Sequence, residues 1–345
     1  MSSHLVQYLQ IFLIALAVSY LATFLVKWLT RRLGIIDKPG PEKIHAKPVP
    51  RLGGVAIFLG FIISVLVFGQ NDFNWPPRIF GAGLLIGSTL TLLIGIIDDI
   101  KRVPAIVKLL VLFAVTFILA AYGVILNFPL PHVVNLILTL LWLVGVTSAF
   151  NAIDNMDGLA SGLAFIAATA YLVVAIQTYQ WTWGILAVAL MGANLGFLFH
   201  NFHQASIFMG DSGSFFLGFT LAALGMMGGW SSHPVKASII PLIILGVPLF
   251  DFAYIVITRQ KKKLTKTITE IVNYTGHDHL SHRLNRLGLN MRQTVLFVYL
   301  IALALSLGAV ILRNTSHWEA LLLLGQFFLV MIIIIILMGL SVRNR

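Results

Sequence analysis

Ile79-Phe-Gly-Ala-Gly-Leu-Leu-Ile-Gly-Ser-Thr-Leu-Thr-Leu-Leu-Ile-Gly-Ile-Ile97 carries no charge, and Asp98-Asp99 follows at once. At about 1.5 Å of rise per residue, such a run crosses the hydrocarbon core of a bilayer as a helix. The run is continuous rather than alternating, which argues against barrel strands. The same pattern repeats along the chain. Eleven apolar runs, at roughly 5–28, 53–69, 79–97, 105–124, 132–150, 160–178, 181–200, 213–230, 237–257, 293–312 and 318–340, each have the length of one crossing. The 345 residues are 59% hydrophobic and 10% charged, with a mean hydropathy of +0.94. The expected fold is all-α: a polytopic membrane protein of about eleven transmembrane helices. Most connections are too short to fold alone, so residues 1–345 read as a single integral membrane domain.

Charge sets the orientation. Of 23 Lys and Arg residues, all but Arg78, Lys236 and Arg313 fall in 27–52, 98–108, 258–292 and 341–345. Basic loops stay in the cytoplasm, which predicts an outside N-terminus and a cytoplasmic C-terminus. The net charge of +11 is thereby a topology signal, and no nucleic-acid partner is expected. The first run lacks a basic flank and is long enough to span, so it reads as a helix rather than a cleavable signal. The absence of cysteine excludes disulfide and thiol chemistry and fits a bacterial inner membrane. Trp75 and Trp318 read as an aromatic belt, and His4, His132, His233 and His317 as interfacial residues.

In this orientation ten of the twelve acidic residues face the cytoplasm, and only Asp72 and Glu319 do not. Carboxylates near hydrocarbon are costly. Their gathering on one face points to chemistry with a cation or a phosphate. Asp98-Asp99 closes its helix against the helix dipole, and the two carboxylates repel each other. Local compensation by Lys101 and Arg102 is the plain alternative to a functional pair. Asn151, Asp154 and Asp157 are spaced by three, so they share one face if they open a helix, and would offer oxygen to a hard cation. Simple capping is the alternative there, as it is for Asp211 in Phe208-Met-Gly-Asp211-Ser-Gly-Ser214. Asp251 lies eight residues before Arg259, deep in its helix, and either pairs with a base or serves function.

Two loops are basic. One reads Asp37-Lys-Pro-Gly-Pro-Glu42-Lys43-Ile-His45-Ala-Lys-Pro-Val-Pro-Arg51-Leu-Gly-Gly54, held extended by its prolines. The other starts basic and continues His277-Asp278-His279-Leu-Ser281-His282-Arg283. Zinc ligation by the histidines competes with phosphate donation, and hard oxygen ligands elsewhere favour phosphate.

Taken jointly, these segments resemble the bacterial polyprenyl-phosphate N-acetylhexosamine-1-phosphate transferases. That family includes the enzymes that start O-antigen, enterobacterial common antigen and wall teichoic acid synthesis. The resemblance covers nearly the whole chain. It implies transfer of N-acetylhexosamine 1-phosphate, above all N-acetylglucosamine 1-phosphate, from a UDP-sugar to undecaprenyl phosphate, with release of UMP. It implies Mg2+, with Mn2+ as a substitute. Asp211 is then a metal ligand and catalytic residue, with Asn151 as second ligand. Asp98 and Asp99 position or deprotonate the lipid phosphate, and Lys108 lies near it. Phe208 stacks on uracil with Asn201 close by, and Asp154 and Asp157 shape the nucleotide-sugar pocket. His279, His282 and Arg283 contact the sugar pyrophosphate, and Lys43 and His45 bind substrate.

Three positions depart from the family's pattern: Asn155 stands for Gly, Ser281 for a middle His, and Glu42 for a basic residue. The first two bear on the sugar. A transporter is the rival reading, although transporters place ionisable groups near the midplane in repeated halves. A lipid-binding scaffold would need the basic residues and not the carboxylates. Membrane lipid is a partner on any of these readings, and a homodimer is the default assembly.

Overall fold

The computed structural model describes residues 2–39, 47–68, 78–263, 276 and 278–343. The helices are α1 (Ser2–Leu33), α2 (Gly53–Phe68), α3 (Arg78–Ile100), α4 (Ala105–Ala121), α5 (His132–Ile153), α6 (Leu159–Gln177) and α7 (Trp181–Asn201). They continue with α8 (Gly210–Met227), α9 (Pro234–Ile244), α10 (Gly246–Lys261), α11 (Leu280–Arg286), α12 (Met291–Leu312) and α13 (His317–Arg343). Every apolar run became helix. By length and composition, α1, α3, α5, α6, α7, α12 and α13 can each cross a membrane, and α9 with α10 adds an eighth if the pair is one span. The expectation of eleven crossings therefore goes further than these helices do by themselves.

Two details differ from the expected all-helical chain. The run at 237–257 is not one helix, because α9 and α10 meet at a 74° bend. Pro248 supplies the cause: it has no N–H for the Ile244 carbonyl and its ring crowds that carbonyl, so the helix restarts at Gly246. The chain also holds a short antiparallel ribbon, β1 (Ile36–Asp37) with β2 (Val49–Pro50), pairing Ile36 with Pro50 and Asp37 with Val49. It closes the base of the first loop.

Helix α8 is the axis of the bundle. Every residue from Ser212 to Gly225 is buried, as expected for a helix apolar on all sides. Helices α3 and α5 are its main neighbours, and α2 packs on it as well. The approach is close because glycines face it. A Cβ on Gly54 would overlap the backbone of Gly213, and one on Gly95 would overlap the backbone of Asp211. Without a hydrophobic drive between helices in lipid, such close contact of small residues is what holds them. At the periphery, α1 and α13 turn Leu21, Leu25, Leu322 and Phe328 outward. The packing thus fixes the N-terminus of α8 beside the C-terminus of α3.

Candidate active site

Adjacent Asp98 and Asp99 face different partners. Asp99 reaches the start of α8, where its two oxygens accept the backbone N–H groups of Asp211 and Ser212, each at 3.0 Å. These donors have no partner within their own helix, and a carboxylate suits the positive end of the dipole. Gly210 makes the approach feasible: its φ is +73°, and a side chain there would run into the Asp99 carboxylate. Asp98 turns the other way. It accepts the Val103 N–H at 2.6 Å and the Lys108 ammonium at 2.6 Å. Lys108 also holds Asp211 at 2.7 Å. Pro104 opens α4 and so places Lys108 one turn inside it. One ammonium thus bridges carboxylates from α3 and α8.

Asp211 is accordingly no cap, since no side chain of its own segment caps α8. Lys101 and Arg102 are exposed, and Lys108 supplies the compensation expected of them. The mutual repulsion expected of the adjacent pair is relieved, because each carboxylate has donors of its own.

The Asn151, Asp154, Asp157 series does not open a helix. Helix α5 runs through Ile153, a turn follows, and α6 starts at Leu159 after Gly158 at φ +75°. The three side chains therefore do not share a helical face. Asn151 donates to Ser214 of α8 at 2.9 Å. Asp157 accepts the Ala205 N–H at 2.9 Å and so ties the turn to the 202–207 loop. Asp154 is half-buried on the turn. Desolvation, with the charges of Asp211, Asp99 and Asp157, pushes its carboxyl well above the usual carboxylate range, while Arg51 pulls it down. Asn201 is buried and braces this region. Its oxygen accepts from the Gly158 N–H at 3.0 Å, and its amide donates to the Ile207 carbonyl at 3.0 Å. Phe208 pairs by backbone with the first loop, donating to Pro50 and accepting from Gly53. Arg51 binds Asp37 across the ribbon at 2.7 Å. Lys43 and His45 lie outside the described residues.

The histidine segment is anchored from beneath. Buried Asp251 meets His279 Nδ1 at 2.8 Å and accepts the Leu280 N–H at 2.7 Å. It therefore caps α11 and fixes one ring nitrogen, leaving Nε2 of His279 for other contacts. The rings of His279 and His282 lie 6.3 Å apart. Arg259 grips Asp278 with two bonds, at 2.6 Å and 2.9 Å. Burial alone would raise the Asp278 carboxyl, but the Arg259 guanidinium overcomes it and holds the group below the usual range. Arg283 is placed differently from expectation. It is buried, and its guanidinium donates to the carbonyls of Asp278 and Met338 and lies over Tyr254. In this arrangement it braces α11 against α13.

The structure brings Asp98, Asp99, Lys108, Asn151 and Asp211 together around the start of α8, with Asp154 within electrostatic reach. Asp251 stood out in the sequence by its depth, with pairing and function both open, and the structure shows it paired. Arg259, Asp278 and Arg51 were not singled out as site residues from sequence.

Carboxylates held at the ends of apolar helices, a shared ammonium and paired imidazoles define a membrane-embedded enzyme whose polar site lies at helix ends. Residues 81–229 match glycosyl transferase family 4. A probable undecaprenyl-phosphate N-acetylglucosaminyl 1-phosphate transferase of Bacillus subtilis is 34% identical, over 95% of this chain and 91% of its own length. A decaprenyl-phosphate N-acetylglucosaminephosphotransferase of Mycobacterium tuberculosis is 30% identical, over 86% and 80%. An undecaprenyl-phosphate alpha-N-acetylglucosaminyl 1-phosphate transferase of Escherichia coli is 27% identical, over 89% and 85%. The chain belongs to glycosyl transferase family 4. These relatives are transferases, and the transporter reading is set aside.

Proposed function

We propose that this protein transfers N-acetylglucosamine 1-phosphate from UDP-N-acetylglucosamine to undecaprenyl phosphate. An oxygen of the lipid phosphate attacks the sugar-linked phosphorus, the bond to the bridging oxygen breaks, and UMP leaves. The observation that carries this reading is the Asp98–Lys108–Asp211 bridge at a helix end, where an amphiphilic acceptor and a soluble donor can meet. Phosphoryl transfer asks mainly for positioning and charge neutralisation.

Asp98 and Lys108 face the acceptor, with Lys108 free to exchange a carboxylate for the lipid phosphate. Asp99 positions Asp211 through the start of α8 rather than touching substrate. Asp154, Asp157 and Phe208 line the donor side, where Asn201 holds the wall, and His279 and His282 meet the diphosphate. Lys43 and His45 complete the substrate contacts from the first loop.

Magnesium fits the donor set. Among the described residues no three His, Asp or Glu side chains gather tightly enough to hold an ion alone. Mg2+ commonly takes only one or two carboxylates and completes its shell with substrate phosphates and water. Asp211, with Asn151 of α5, which bonds Ser214 one turn along α8, would hold it, and Mn2+ would substitute. When bound, the ion neutralises charge on the diphosphate.

The eleven apolar helices are proposed to cross a bacterial cell membrane with the N-terminus outside and the site cytoplasmic, as the basic loops require. The chain has no cysteine, so single cysteines report cleanly. Arg102→Cys should be shielded from an impermeant thiol reagent in intact cells and His233→Cys labelled. The reverse pattern would place the site on the wrong side for UDP-sugars.

The deciding experiment incubates purified protein with magnesium, undecaprenyl phosphate and a panel of UDP-sugars. UMP release is expected with UDP-N-acetylglucosamine. Silence with the whole panel overturns the proposal.

A further inference from the structure

Two segments of the site come from distant parts of the chain: the turn at 154–158 and the start of α11. Each has an anchor of its own. Asp157 ties the turn to Ala205, and Asp251 ties α11 to α10. The turn is also held from α12, where the Tyr299 hydroxyl donates to the Gly158 carbonyl. One side-chain hydrogen bond joins the two segments directly: Ser281 Oγ donates to Asn155 Oδ1 at 2.6 Å, across 126 residues of sequence.

The bond is built rather than incidental. Ser281 is fully buried, so its hydroxyl has no water as an alternative partner. Asn155 is oriented from its other end, where its amide donates to the Ala152 carbonyl at 3.0 Å and leaves the oxygen facing Ser281. Both side chains are short, so the bond holds two backbones close together. Asp154 and Asp157 flank Asn155 on one side, and His279 and His282 flank Ser281 on the other.

We propose that Asn155 and Ser281 are a positioning pair that sets the distance between the carboxylate turn and the imidazole pair, and so determines how tightly the sugar–diphosphate of the donor is held. This rests on the reading that the donor lies between those segments. Neither residue touches the reacting atoms, so the pair acts on donor binding and sugar selection rather than on the chemical step. Removing one partner leaves the other polar atom unsatisfied, and the gap then relaxes.

The test is a double-mutant cycle with Ser281→Ala, Asn155→Ala and both together, read by UMP release. Each single change should raise KM for UDP-N-acetylglucosamine by about fivefold to twentyfold, with kcat and the KM for undecaprenyl phosphate within about twofold. Preference for UDP-N-acetylglucosamine over UDP-N-acetylgalactosamine should narrow. The double variant should be no worse than either single one, because the same bond is lost each time. Additive effects overturn the proposal, and so does a fall in thermal stability with KM unchanged. If Ser281→Ala fails to fold, half-buried Asn155→Ala decides by the same KM criterion. Wild-type protein is the control. Its silence would overturn the functional reading, whereas active wild type with unchanged KM in the variants overturns the pair alone.

Discussion

The two charged regions of the site are built on opposite principles. Around α8, one lysine is shared by two carboxylates, and Asp99 and Asp154 add negative charge close by. Around α11, each carboxylate has donors of its own: Arg259 holds Asp278 in a two-point grip, and Asp251 holds His279 and the Leu280 N–H. The first region has acid left over and the second has none to spare. Surplus negative charge in a partly desolvated place calls for a cation from outside. Carboxylates fully engaged by fixed donors hold geometry. The comparison assigns chemistry to the α8 side and alignment to the α11 side.

The sharpest way to break it is Asp211→Asn. That change removes a charged ligand while leaving Lys108 its bond to Asp98. Turnover should fall about a hundredfold or more, with partial recovery at high magnesium and little change in thermal unfolding. Near-normal turnover at limiting magnesium would make Asp211 a structural residue and level the two regions.

Asp99→Asn separates the two adjacent carboxylates. From sequence, neutralising one of a repelling pair stabilises the fold. The structure reverses that sign, because Asp99 satisfies two N–H groups at the positive end of α8. The variant should lose about 1 kcal/mol in thermal or denaturant unfolding. A gain in stability would restore the repulsion picture.

The smallest effect is expected on the α11 side. Asp278 is held below the usual carboxylate range by Arg259. An acid with a depressed native pKa stabilises the fold above its unfolded pKa, and loses that contribution as pH falls through the native value. Wild-type stability should therefore drop on the acid side of pH 4, roughly the unfolded value, and Asp278→Asn should flatten that limb. Donor KM should move by no more than about threefold, as befits an aligning residue. A large loss of kcat would place Asp278 in the chemistry instead.

The helices were legible because apolar runs in lipid leave the backbone no other choice. The bend at Gly246 was missed because Pro248 sits within an otherwise apolar run, so hydropathy hides it. The three-residue spacing of Asn151, Asp154 and Asp157 misled, because spacing shows a shared face only within a helix, and α5 ends at Ile153. The partners of Asp251 could not be read, since they lie 28 and 29 residues away in sequence. Asn155 and Ser281 each stood out as departures from the family pattern. Nothing in one sequence said that they touch.

Gly54, Gly95 and Phe150 all line the channel that α8 fills, and all precede it in the chain. A ribosome therefore delivers the socket before the plug. Until residue 210 emerges, Asp99 has no N–H groups to meet it, and Lys108 can hold only one of its two carboxylates. Insertion of α8 therefore completes the carboxylate side of the site in one step, and the imidazole pair on α11 joins it only after α9 and α10 have followed. A chain released before α8 is left with an open, acid-lined groove where the bundle axis belongs.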